Sequence, residues 1–194
     1  MSCEKEYNKF IAVNNATKNI INYLIENNED LWKLLYYIEN SILPLSQDNL
    51  TFEQKVSMIC TNPYDINNNV EKNILFEITA VDEAFSTAIP QIRIDVGDII
   101  PLDRTRGYME IAFQIIVPNK QDLFTTESNN VARRSLVIYT ELAKTLNGTY
   151  IENCNFNSPL FLDRSSIAGK KTGSYPEQYN RHYTGRYVVF SVLI

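Results

Sequence analysis

The sequence predicts an α+β fold: a small, mostly antiparallel sheet with a packed helix, preceded by an N-terminal helical region. Three observations predict it. The apolar period is helical before Pro63 and changes to two residues after Asn69. Two long alternating runs, Gly107–Val117 and Gly185–Ile194, fit strands packed on one face. A stretch of helical period, Ser128–Asn147, lies between them.

From Ala16 to Asn40 two apolar stripes follow one another: Ile20, Ile21, Leu24 and Ile25, then Leu31, Leu34, Leu35 and Ile38. Asn27-Asn28-Glu29-Asp30 separates them and offers N-cap oxygens to a second helix. Pro44 and the polar run after it end this hairpin. Thr51-Phe-Glu-Gln54 has the spacing of a capping box and opens a short helix through Val56 and Ile59, which Asn62-Pro63 stops. The polar joint Asp65–Asn69 divides a helical region, 1–66, from an α+β domain, 67–194.

After the joint, Ile74–Val81 and Gln91–Val96 read as strands, the latter with Ile92, Ile94 and Val96 on one face. The next strand, Gly107–Val117, places Met109, Ile111, Phe113, Ile115 and Val117 together. A loop of about ten residues around Pro101 would join these two strands as a hairpin. Ser128 is the expected N-cap of the following helix, whose face carries Val131, Ile138, Leu142, Thr145 and Leu146. Gly148 stands at its C′ position. Strand-like segments follow at Thr149–Cys154 and Leu160–Leu162, then a long loop, 164–184, with no strong period. A loop of that length in a compact domain is functional or orders on binding. The last strand runs to Ile194, so it is expected to be paired.

The chain carries 44% hydrophobic and 21% charged residues, the balance of a folded soluble protein. Its net charge of −5 argues against a general nucleic-acid binder. Cys3, Cys60 and Cys154 are too few and too scattered for a disulfide framework or zinc site, which suits a reducing cytoplasm. No signal peptide or membrane-length apolar run is present. His182 is the single histidine, and its Tyr179-Asn-Arg-His-Tyr183 setting suits a contact segment better than acid–base work. Asp95, Asp98 and Asp103 lack calcium-loop spacing and read as solvated turn carboxylates. There is no Walker A or GxGxxG sequence. The expectation is a non-enzyme with no catalytic residues, metal or cofactor.

One region concentrates positive charge on this acidic chain. Arg164, Lys170, Lys171, Arg181 and Arg186 interleave with Tyr175, Tyr179 and Tyr183. Arginine and tyrosine are enriched at protein interfaces, and the overall charge favours a protein partner over nucleic acid. These eight residues are the candidate subunit or partner interface.

The order of elements resembles tail-terminator or tail-completion proteins from the necks of tailed bacteriophages. The resemblance rests on Ile92–Val96, Gly107–Val117, Val131–Leu146 and Tyr183–Val192. The segment Tyr23–Tyr37 is similar to the opening of phage structural proteins. The resemblance implies a ring, a hexamer or a dodecamer of this chain, assembled into the virion in the host bacterial cytoplasm. Its partners would be itself and neighbouring neck and tail-tube proteins, with double-stranded DNA passing through transiently and no membrane. It implies no catalytic residue. A baseplate or other tail subunit, or a nucleic-acid-processing domain, fits the same residues.

Overall fold

The computed structural model describes residues 3–39, 43–60, 73–76, 89–103, 106–154, 156–162, 173–180 and 182–194. Helix α1 (Cys3–Asn27) turns into α2 (Glu29–Tyr36) through a single residue, Asn28. Asn28 Oδ1 accepts the Leu31 amide at 2.9 Å, as an N-cap does. A 3₁₀ turn (Pro44–Ser46) leads to α3 (Phe52–Ser57). The predicted capping box is formed: Thr51 Oγ1 accepts the Gln54 amide, and Gln54 Oε1 accepts the Thr51 amide. Lys55 ties the three helices together. Its Nζ lies 2.6 Å from Glu29 Oε2 and donates to the Ile25 carbonyl at the end of α1.

The main sheet has the order β1 (Ile74–Phe76), β2 (Gln91–Pro101), β3 (Gly107–Pro118), β8 (Tyr183–Leu193), β6 (Phe161–Leu162). Strand β7 (Gly173–Asn180) also pairs with β8. Strand β1 runs parallel to β2, and the remaining pairs are antiparallel. The last strand is therefore interior to the sheet, paired along its length with β3.

The alternating face of β3 behaves as its period predicts. Met109, Ile111, Phe113, Ile115 and Val117 are fully buried, and Phe113 meets Phe190 of β8 edge-on at 5.7 Å. This face continues into Ile20, Leu24, Leu31 and Leu34 of the N-terminal helices. It also joins Ile138, Leu142 and Leu146 of helix α5 (Arg134–Leu146). One core thus holds sheet and helices together. Asn73 knits its edge: Nδ2 donates to the Leu35 and Pro90 carbonyls, its amide donates to Met58 O, and its carbonyl accepts the Ile92 amide.

Four sequence expectations change. Ser128 does not cap a helix. A one-turn helix α4 (Asn119–Asp122) is followed by a hairpin of β4 (Leu123–Thr125) and β5 (Val131–Arg133), and α5 begins only at Arg134. Ser128 lies in the hairpin turn, where Asn129 adopts φ 61° and the Thr126 amide donates to Asn130 O. Residues 149–154 form turns, with an isolated bridge from Thr149 to Leu160, because Asn153 takes φ 61° and breaks the extended path. The long loop at 164–184 contains β7, which pairs with β8 in a single chain. The β2–β3 loop is shorter than expected, since β2 extends to Pro101 across a bulge between Val96 and Ile99. Gly107 suits that turn: a Cβ there would lie 3.0 Å from the Ile100 carbonyl oxygen. Of the expected strand Ile74–Val81, residues 77–81 lie outside the described residues, as does the joint at Asp65–Asn69.

Candidate functional site

The sequence-predicted interface divides into three groups. Arg164, Lys170, Lys171 and Arg181 lie outside the described residues. Tyr175 and Tyr179 belong to β7, described here by its backbone pairing with β8. Tyr183 and Arg186 are on β8 and buried, at 9% and 8% exposure. The two lie on opposite faces of β8, and each is largely covered within the single chain.

Arg186 belongs to a charged node at the start of α5. Its Nε donates to Ser135 Oγ at 3.2 Å. Burial pushes the Arg186 guanidinium below its usual range, and Asp122 partly opposes that shift. The buried Asp122 carboxylate accepts the Ser135 amide at 2.9 Å and lies 3.5 Å from Arg133 Nη1. It supplies the N-terminal acceptor that Arg133, the residue at the cap position, does not. His182 is exposed, and its carbonyl accepts the Asn119 amide at 2.8 Å.

Exposed apolar side chains occur near both ends of β3. At its start, Ile99, Leu102 and Tyr108 are 41%, 52% and 39% exposed, with Ile99 on the Met109 face of the sheet and Tyr108 on the other. The turn beneath them is fixed by Arg106, whose Nε donates to Asp103 Oδ2 at 2.7 Å and whose carbonyl accepts the Leu102 amide. The Gly107 and Ile194 backbones exchange two hydrogen bonds, fastening the end of β8 to this corner.

Past the other end of β3, Leu123 and Val131 are 52% and 71% exposed. The β4–β5 register pairs Leu123 with Arg133 and Val131 with Thr125, so the period of two puts both apolar residues on one face. The opposite face sends Phe124 inward beneath the Arg134 guanidinium, 5.3 Å away. Leu136 of α5 is also exposed.

Sequence reading missed these two surfaces. The available signal was an isolated Leu102 between Pro101 and Asp103, and apolar residues flanking a Thr-Thr-Glu-Ser-Asn-Asn turn run. Among the described residues no group of three or more His, Cys, Asp or Glu side chains is placed to hold a metal ion. No described helix is long and apolar enough to cross a membrane.

A family model described as YomW matches residues 28–192. The match begins at the corner between α1 and α2 and runs through most of β8. No curated protein matches the chain.

Proposed function

The chain belongs to the YomW family, a family of phage origin, and on that premise we propose that it is a structural virion protein forming a ring in the phage neck. The ring joins head to tail, passes DNA through its lumen and turns over no substrate. The observation that supports this reading is the occurrence of exposed apolar residues near both ends of β3, Leu102 at one end and Leu123 with Val131 past the other. Strand β3, twelve residues long, itself spans about 40 Å at the usual rise. A closed ring needs two different patches on each subunit, one meeting the other on the next copy. Two-fold pairing needs a single self-complementary patch.

The net charge of −5 suits the same role. An acidic lumen repels phosphates and leaves DNA free to slide. The basic residues Arg164, Lys170, Lys171 and Arg181 then select acidic neighbours by charge and speed encounter.

Native mass spectrometry of the full chain, alone and with tail tubes, tests the reading. A hexamer or dodecamer in either sample is the expected result. A chain that stays monomeric in both overturns it. Replacing Arg164, Lys170, Lys171 and Arg181 together by Ser should give folded protein with unjoined heads and tails. Normal infectious particles from that variant would remove those residues from the interface.

A further inference from the structure

We propose that the cleft between α1 and the turn at residues 150–153 is a binding site for a neutral saccharide. The cleft has a volume of about 410 Å³, and its walls come from Asn19–Asn27 on one side and Tyr150–Asn153 on the other. Its frame is fixed before any ligand arrives. Asn19 Nδ2 donates to the Asn153 carbonyl at 3.0 Å, and Asn27 Nδ2 donates to the Tyr23 carbonyl at 2.9 Å. Ile151 and Cys154 are buried and root the turn in the core.

Of the groups facing that frame, Asn22, Glu26, Tyr150 and Glu152 are exposed, and Tyr23 is half-buried with its ring packed against the core. Among the described residues, the side chains of Asn22, Tyr23, Glu26, Tyr150 and Glu152 make no hydrogen bond or ion pair. Tyr150 is 65% exposed at the rim, a large ring with no internal packing role to explain it. Small-molecule sites are concave and use a few polar groups beside an aromatic or apolar surface to fix the ligand.

The chemistry of the lining selects the ligand class. An apolar ligand would strip water from two carboxylates and a carboxamide without replacing their hydrogen bonds. Phosphorylated ligands and nucleic acid meet two carboxylates and no basic residue in the lining. A polyol fits the four exposed side chains. Its hydroxyls donate to Glu26 and Glu152, both donate to and accept from Asn22, and a C–H face packs on the exposed Tyr150 ring. A lysine-rich peptide would use the carboxylates and leave the carboxamide unmatched.

The test is an amide NMR titration of the full chain with maltotriose, cellotriose and triacetylchitotriose at millimolar concentration. Glucose 6-phosphate and pentalysine serve as comparators. At least one neutral trisaccharide should shift the amides of Tyr23–Asn27 and Tyr150–Asn153, and glucose 6-phosphate should not. Tyr150→Ala, whose exposed ring makes the fold indifferent to it, should weaken that binding about tenfold with unchanged thermal unfolding. Three outcomes overturn the proposal: no shift with any of the three sugars, binding unaffected by Tyr150→Ala, or shifts produced by pentalysine alone. The measurement reads the isolated chain, so its failure leaves ring assembly standing.

Discussion

Arg134 has no exposed surface, and its guanidinium leaves α5 to reach the end of another helix. Nη1 donates to the carbonyls of Leu34 and Tyr37, and Nε donates to Gln121 O at 2.9 Å. The C-terminal carbonyls of α2 have no partner within their own helix, so a buried cation fills the gap. Desolvation lowers the Arg134 pKa to about 10, with Asp122 opposing, which leaves it charged at neutral pH. Arg134→Ala orphans those buried carbonyls and is expected to cost about 3 kcal/mol, read by urea unfolding. Arg134→Lys should recover part of this, because one ammonium cannot reproduce the fork. Cys154 behaves oppositely to a reactive thiol. It is 2% exposed, and burial raises its pKa. The folded chain therefore holds the thiol proton where the unfolded chain has lost it. The stability this contributes is fully present below the unfolded thiol's pKa of about 8.5 and is lost as pH rises through the higher folded value. Iodoacetamide should leave Cys154 unmodified in native protein at pH 7.5 and label it on unfolding, as peptide mass mapping would read. Labelling as fast in the native as in the unfolded state would contradict its burial.

Helix α5 takes its N-terminal acceptor from the preceding one-turn helix. Asp122→Ala removes the partner of the Ser135 amide and the carboxylate beside Arg133 and Arg186, at an expected cost of about 2 kcal/mol. Asp122→Asn keeps an acceptor and should lose less. Thr51→Ala, which opens the capping box of α3, should cost about 1 kcal/mol. Both are measured by urea unfolding. These two helix starts also explain what the sequence discloses. The Thr51–Gln54 box is local, spans four residues, and could be read directly. Asp122 acts across thirteen positions, so its role waits on tertiary placement, and Ser128 was the nearest local substitute. The strands read at 91–96, 107–117 and 185–194 were legible because one buried face imposes a period of two. Strand β7 was not, since Gly-Ser-Tyr-Pro-Glu-Gln-Tyr-Asn has no such alternation and owes its pairing to the edge of β8. The same limit governs the interface. Charge and tyrosine content marked 164–186, but only the folded chain shows that Arg186 and Tyr183 are largely covered. The cleft between α1 and the turn at 150–153 was not legible for a further reason: its two walls are separated by more than a hundred residues.

At the scale of the molecule, the exposed apolar residues near the two ends of β3 make a prediction that separates a ring from simpler assemblies. If Leu102 on one copy meets Leu123 and Val131 on the next, the contact is head-to-tail. Leu102→Glu spoils one half of every contact, and Leu123→Glu spoils the other. Each variant alone should then be monomeric, because every contact in a uniform population needs both halves intact. Both residues are more than half exposed, so a carboxylate there leaves the core unchanged. Mixing the two variants in equal amounts restores one contact, between the intact Leu123 surface of the first and the intact Leu102 surface of the second. The product has a spoiled half at each outer end and cannot grow. Native mass spectrometry should therefore show heterodimers in the mixture, monomers in each separate sample, and rings with the unaltered chain. A self-complementary patch gives another pattern: one variant alone would still dimerise through the surface it retains. Dimers in either unmixed sample would exclude the head-to-tail geometry. Rings in both would show that neither surface joins the copies.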